Sequence, residues 1–343
     1  MTEPVTLVVS IDVEEDNWKG ARTGVTVENV RQLPRLDRLF ERLGVRPTYF
    51  TTYQVAIHPW AVRVLQETRA RGTAEIGAHL HPWNTPPIEE AFVPRNTMLV
   101  NLPARLQAAK IDTLNDALRT GMGHRPLAFR AGRWAFGPST AAALLTRGYR
   151  VDSSVTPFVS WEDCDDGPTH IGAPLHVYRL DGQGDVRNPV SGGPLIEVPL
   201  SWGYNRGSWS SWTRLQPLLQ RPVVRRLRLA GIAARLRLFR RICLSPESSS
   251  VADMLTLSRR LTDQGVRYLH ISWHSVSLKP GLTPYTATTA DVERLYAAIE
   301  SYIDRLAAMV PIRFRTVSEA AEILAPPAGD LKATRSGHPT ACR

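Results

Sequence analysis

Short apolar runs alternate with longer amphipathic ones along this chain. Eight runs read as strand candidates, at 5–11, 47–52, 74–78, 127–130, 149–152, 195–199, 267–272 and 311–315. Several of the intervals carry a helical repeat instead. Leu33, Leu36, Leu39, Phe40 and Leu43 fall on one helical face, and Val62, Leu65 and Ala70 precede a stop at Gly72. Leu102, Leu106, Ile111, Leu114 and Leu118 run to Gly121. The theme returns with Val251, Leu255, Leu257 and Leu261 before Gly265, and with Leu295, Ile299, Tyr302, Ile303 and Leu306 before Pro311. Strand–helix alternation predicts an α/β fold on a parallel sheet, open or closed into a barrel, and periodicity alone does not choose between them. No sequence repeat of fixed period is present. Residues 153–194, rich in Gly, Pro, Asp and Ser, read as a loop excursion over one face. The tail 326–343 lacks apolar periodicity and reads as disordered.

Composition narrows this picture. With 343 residues, 43% hydrophobic and 22% charged, the chain is long enough to bury a substantial core without staples. Cys164, Cys243 and Cys342 are odd in number and widely spaced, which argues against a disulfide framework and for a reducing compartment. The N-terminus runs at once into Val5–Ile11, with no basic n-region or cleavage site, and no window is apolar for long enough to span a bilayer. A cytoplasmic protein is expected.

The formal charge of +10 invites a nucleic-acid reading, but its distribution argues otherwise. Ten arginines (Arg206, Arg214, Arg221, Arg225, Arg226, Arg228, Arg235, Arg237, Arg240 and Arg241) lie between 206 and 246 with no acid among them. Without them basic and acidic residues balance at 32 each. The excess is one local segment, and no recognised nucleic-acid motif accompanies it.

Polar clusters follow the strand candidates, where parallel α/β folds place their functional face. Asp12 and Glu14, in Ser10-Ile-Asp-Val-Glu-Glu-Asp16, point the same way on an extended backbone, although an acidic loop would look alike. His79 and His81, in Gly77-Ala-His-Leu-His-Pro-Trp83, also share a face. With Asp12 and Glu14, one of them on a metal and the other free to act as a base, they offer one carboxylate and two imidazoles, a set that leaves coordination positions open, as catalytic rather than structural metal sites do. In Phe129-Arg-Ala-Gly-Arg-Trp134 a guanidinium could hold a catalytic carboxylate, or be one of many surface arginines. Val151-Asp-Ser-Ser154 alone only suggests a turn. His270, Ser272 and His274 alternate onto one face, with His274 at the strand end, where it could serve as a general acid.

In this order the five clusters resemble the five motifs of the polysaccharide deacetylase family (NodB homology, carbohydrate esterase family 4-like). The match runs from about Leu7 to Leu324 and is loose over 153–250. The wording Gly77–Pro87 and His274–Tyr285 is most similar to the WalW-type branch, which is associated with bacterial surface polysaccharides. The resemblance implies a distorted (β/α) barrel of seven or eight parallel strands. It implies one catalytic domain over 1–325, with a long irregular and helical insertion at about 153–250. It also implies hydrolytic removal of acetyl groups from an N-acetylated sugar or glycan with a divalent metal, usually Zn2+. Carried over by residue, Asp12 is the general base and Glu14 the metal carboxylate, with Glu15 a competing ligand. His79 is the first metal histidine. The family's usual second histidine would fall at Trp83, so His81 takes that role. Arg130 holds the base, Arg133 supplies a backbone N–H to the oxyanion, Asp152 tunes the last histidine, and His274 is the general acid.

In the basic segment, Pro222 suits a helix start, and Ile232, Leu236, Phe239 and Cys243 form an apolar stripe. This is either a helix packed on the barrel with a solvated basic face or, through 221–243, a contact with pyrophosphate-linked glycans or a peripheral contact with an anionic membrane at the inner face of the cytoplasmic membrane. Two other functional readings remain. One is a hydrolase of non-sugar amides or imides in the same superfamily, possibly metal-independent. The other is an inactive glycan-binding module, which would predict damage to the acid–base set.

Overall fold

The computed structural model describes residues 3–209 and 240–327. The helix expected after Pro222, seven of the ten clustered arginines and the tail from 328 lie outside the described residues, as does most of the segment assigned to membrane contact.

The chain lays down β1 (Val5–Val13), α1 (Leu33–Leu43), β2 (Pro47–Thr51), α2 (Tyr53–Ala56), α3 (Pro59–Ala70) and β3 (Glu75–Leu80). Next come α4 (Ala104–Met122), β4 (Ala128–Ala131), α5 (Pro138–Thr146), β5 (Val151–Asp152), β6 (Tyr178–Leu180) and β7 (Leu195–Glu197). A short hairpin, β8 (Trp202–Tyr204) with β9 (Arg241–Cys243), precedes α6 (Val251–Asp263), β10 (Tyr268–His274), α7 (Thr289–Met309), β11 (Ile312–Arg315) and α8 (Val317–Leu324).

The sheet runs β10-β1-β2-β3-β4-β5-β7-β6. β1 is its axis, and every residue of it is buried, as a near-continuous apolar run requires in a parallel sheet covered on both faces. β10 pairs along one edge of β1. The remaining ladders of β1 are shared in sequence: Val5–Val8 pair with β11, then Val9–Val13 pair with β2. All these ladders are parallel, and only β6 joins antiparallel, on β7. Eight parallel strands therefore carry the barrel, as expected from the resemblance. It closes between β7 and β10 without a regular ladder. Pro199 O accepts from Tyr268 Oη at 2.8 Å, Ser201 Oγ from the His270 N–H at 2.9 Å, and Leu244 O from the Ser272 N–H at 3.0 Å.

The helices wrap the barrel with their apolar stripes inward. In α1 the residues Leu33, Leu36, Leu39 and Phe40 are buried, and Gly44 ends the helix at φ 70°. α7 and α8 start with reciprocal capping boxes, Thr288 with Asp291 and Thr316 with Glu319. Two sequence expectations need correction. α4 continues through Gly121 and stops at Gly123, whose φ of 72° supplies the left-handed cap, whereas Gly121 is a close-packing position against Ala56 and Val62. The 153–194 excursion is not wholly irregular, since Tyr178–Leu180 adds β6 to the edge.

Candidate active site

The register of the parallel ladders brings the polar clusters together. Asp12 lies opposite His274 across β1 and β10, and His79 lies opposite Arg130 across β3 and β4. These positions are at the C-terminal strand ends, above a core of buried aliphatic and aromatic side chains.

Asp12 is 2% exposed, and its Oδ1 accepts from Arg130 Nη1 at 2.6 Å. Arg130 itself is fully buried. Its remaining donors go to Ser272 Oγ (3.0 Å), Ser10 Oγ (2.9 Å), Ser153 Oγ (3.1 Å) and Ser153 O (2.9 Å), and its guanidinium stacks on Phe50. A buried charge so fully bonded is held in one orientation.

Glu14 leaves β1 on the same side as Asp12. Its Oε2 lies 3.2 Å from His81 Nε2 and 3.8 Å from His79 Nε2, and the two imidazole Nε2 atoms are 3.1 Å apart. The other nitrogen of each ring is committed. His79 Nδ1 donates to Arg130 O at 3.1 Å, and His81 Nδ1 donates to Glu15 Oε1 at 2.8 Å. Each bond fixes a tautomer whose Nε2 lone pair points into the site. Glu15 is thus not a third carboxylate facing Glu14; it is the clamp on His81, itself held by Asn84 Nδ2 (2.6 Å) and Thr52 Oγ1 (3.2 Å). Asn29 Nδ2 bonds Glu14 O at 2.8 Å, and the Glu14 N–H donates to Ser275 Oγ at 3.2 Å.

Two imidazole lone pairs facing each other at this distance repel unless a cation lies between them. Tetrahedral zinc with nitrogen ligands spaces them by roughly 3.3 Å, close to what is seen, and Glu14, His79 and His81 form a buried group able to hold a metal ion. In the bare donor set the same demand appears as protonation. Burial would lower the His81 pKa, yet Glu15 and Glu14 raise it to about 10. Burial would raise Glu14, yet the His274 charge and its bonds to His79 and His81 hold it far below the usual carboxylate range. The donor set fits a divalent cation.

Local backbone features serve this geometry. A Cβ at Gly132 would come within 2.6 Å of His81 Cδ2 and 2.7 Å of Leu80 O, so only glycine lets β4 end against the histidine. Trp83 stacks on His81 with centroids 4.2 Å apart. Arg133 and Trp134 both take positive φ, 55° and 59°, an unfavourable turn that aims both side chains at the cleft. The Arg133 guanidinium is bound to Thr97 and, at 2.8 Å, to Asp165.

His274 closes the other side of the cleft. Its partner is Glu247, whose Oε2 accepts from Nδ1 at 2.9 Å and whose Oε1 accepts from the His274 N–H at 3.2 Å and from Ser277 Oγ. Burial would lower the His274 pKa, but the Glu247 and Glu14 charges raise it to about 10. This corrects the role expected for Asp152. That carboxylate does not reach His274. It accepts from the Ser154 N–H and Oγ, both at 2.9 Å, and lies beside Glu197. Burial pushes Asp152 up to about 6, and burial with the Asp152 charge pushes Glu197 well above its ordinary value, so the two share a proton. Glu247 escaped sequence reading because it sits in Ser245-Pro-Glu-Ser-Ser, an irregular stretch with no periodicity, 27 residues before its partner.

Between these walls lies a cleft of about 620 Å³, bordered by Trp18, Trp83, Phe92 and Trp134 and reaching Asp12, Glu14, His79, His81 and His274. Its size is that of a small-molecule site.

No family model and no curated protein matches the chain. Solved structures do. A Mycobacterium smegmatis protein assigned as a polysaccharide deacetylase aligns with TM-score 0.51 at 20% identity over 93% of this chain and 89% of its own. A Parabacteroides distasonis protein assigned as a glycoside hydrolase/deacetylase aligns with TM-score 0.58 at 11% identity over 93% and 70%. Puue allantoinase aligns with TM-score 0.51 at 14% identity over 92% and 89%. The chain has the distorted (β/α) barrel fold found in structures of polysaccharide deacetylases.

Proposed function

We propose that this chain is a metal-dependent hydrolase that removes N-acetyl groups from an amino-sugar-containing glycan or glycan precursor. The observation that carries the reading is the convergence of Glu14, His79 and His81 beside an Asp12 held by Arg130, with His274 on the facing wall. Glu14, His79 and His81 hold the metal, which when bound supplies Lewis acidity for the amide carbonyl. Asp12 removes a proton from the attacking water. Arg130 keeps that carboxylate aimed at the cleft. His274, held by Glu247, gives its proton to the departing nitrogen as the C–N bond breaks, so the products are acetate and a free amine. The Arg133 backbone N–H is the proposed donor to the carbonyl oxygen. The acid–base set is assembled, which speaks against an inactive binding module.

Elemental analysis and acetate release on the same samples test this. Wild type should carry about one divalent ion per chain. His79→Ala and His81→Ala should each lose the ion and the activity together. Metal-free wild type that still releases acetate would end the metal mechanism. The likeness in fold to an allantoinase keeps one second reading, hydrolysis of a non-sugar amide. Turnover of allantoin-type amides with none of N-acetylated sugars would establish it. Among the described residues no helix is long and apolar enough to cross a membrane. A cytoplasmic role in making bacterial surface polysaccharide is proposed from the scattered cysteines and the motif wording. Recovery of the native protein from outside the cytoplasmic membrane would overturn it.

A further inference from the structure

On the outside of the barrel, α1 and α7 meet along a charged seam. Arg35 and Arg42 lie two turns apart on α1, as Glu293 and Glu300 do on α7. These side chains close on each other. Arg35 Nη1 and Nη2 donate to the two Glu293 carboxylate oxygens at 2.8 and 2.6 Å, and Arg42 Nη1 donates to Glu300. Between the two ion pairs the pattern breaks. The intervening turn of α1 carries Arg38, but the intervening turn of α7 carries Ala297, which has no carboxylate to offer. Arg38 is exposed and has no acid partner among the described residues.

The break is concave. A groove of about 380 Å³ lies along the seam, lined by the three arginines, the two paired glutamates and Tyr296, and it shares no residue with the cleft. Tyr296 is 8% exposed, its ring lies under the Arg35 guanidinium at 4.1 Å, and its hydroxyl has no hydrogen-bond partner. A buried phenol normally finds one. Burial pushes its pKa up to about 12, so the group is an O–H donor, and the Arg35 and Arg38 charges are close enough to act on it. Asp304 adds a negative charge near Arg42, which leaves Arg38, in the middle of the groove, as the uncompensated cation.

A guanidinium fork beside an unbonded O–H calls for an anion rich in acceptors. One fork saturates a carboxylate, whereas a phosphate presents further oxygens in other directions. We propose that the groove between α1 and α7 is a binding site for a phosphate-bearing ligand, with Arg38 as its anchoring cation and the Tyr296 hydroxyl as a second donor. The site stands independently of the chemistry in the cleft.

Calorimetric titration of the intact protein with inorganic pyrophosphate tests this, together with sedimentation on phosphatidylcholine vesicles containing phosphatidic acid. The groove should take up one pyrophosphate per chain. Arg38→Ala should weaken that uptake by about 10–100-fold, the worth of a charge-assisted hydrogen bond. Ala297→Glu supplies the carboxylate that the seam lacks and should weaken uptake at least as much with Arg38 still in place. Tyr296→Phe removes an oxygen that no protein group bonds. It should cost binding severalfold and leave the denaturant midpoint unchanged, a combination that diffuse attraction to arginine would not give. Arg313→Ala removes one exposed arginine outside the groove and should change nothing. Uptake that survives both Arg38→Ala and Ala297→Glu would place the anion elsewhere and overturn the site. A loss as large with Arg313→Ala would reduce it to net charge, and no uptake of either probe by the wild type would also end it. Groove-dependent binding of pyrophosphate would identify a soluble phosphate ligand. Groove-dependent binding of vesicles alone would identify a lipid headgroup.

Discussion

At the scale of single residues, the carboxyl groups around the site have distinct tasks set by what surrounds them. Glu247 is the clearest case. It faces Nδ1 of His274 and is nearly inaccessible, so its charge acts almost wholly on the imidazole. The acid form of His274 is present below its raised pKa and is lost as the pH rises through it. Glu247→Gln should therefore move the falling alkaline limb of the kcat profile to lower pH and reduce kcat at neutral pH by about 10–100-fold. An unshifted limb would show that Glu247 does not govern this histidine. The Asp152–Glu197 pair makes the opposite kind of statement. Both folded-state values are raised, so above the ordinary carboxylate range the native state keeps protons that the unfolded chain gives up. Stability contributed by the pair is then complete below about pH 4 and falls as the pH rises past 6. Glu197→Gln should flatten that fall, measured as the pH dependence of the denaturant midpoint between pH 5 and 8. An unchanged slope would place the proton elsewhere.

At the scale of elements, the segment that follows β3 is pinned from two sides. Lys110 of α4 is fully buried, and its Nζ donates to Pro82 O (2.8 Å), Thr85 O (2.7 Å) and Pro87 O (2.7 Å) while pairing with Glu90 at 3.2 Å. From the opposite side, Arg22 Nε donates to Trp83 O at 2.9 Å, and its Nη2 reaches Glu90 at 3.0 Å. The pinned stretch starts at His81 and carries Trp83. Helix α4, the loop after β1 and β3 are thereby tied to His81, one of the proposed metal ligands. Lys110→Met leaves three carbonyls and a buried carboxylate without their cation, a loss of about 3–5 kcal/mol. Denaturant unfolding should show it, and metal titration should show affinity lowered by about 10–100-fold. A destabilised variant with unaltered metal affinity would make the clasp a matter of stability alone. The sequence gives no hint of this, since a lysine on an amphipathic helix normally reads as solvated.

At the scale of the whole molecule, the pattern of the sequence carried the parallel barrel a long way. All eight strand candidates appear, and each begins and ends within a few residues of its expected bounds, because strands buried on both faces show as apolar runs whatever surrounds them. The candidate positions Asp12, Glu14, His79, His81, Arg130 and His274 were also legible as places, because they lie at or just past the C-terminal ends of those strands and parallel topology sends such ends to one face. The weaker elements were hidden. Helix α5 is a run of small apolar residues with no polar alternation, and β6 pairs three residues inside an irregular stretch. Closure between β7 and β10 rests on a serine hydroxyl, a tyrosine hydroxyl and single backbone bonds, which have no periodic signature. Sequence alone thus determined the element order, the parallel sheet and the chemical types at its C-terminal rim, since these follow from local periodicity. Tertiary structure decided which charge faces which. It turned Glu15 onto His81 and replaced Asp152 with Glu247 at His274. Those choices depend on contacts between residues far apart in the chain, where spacing carries no information.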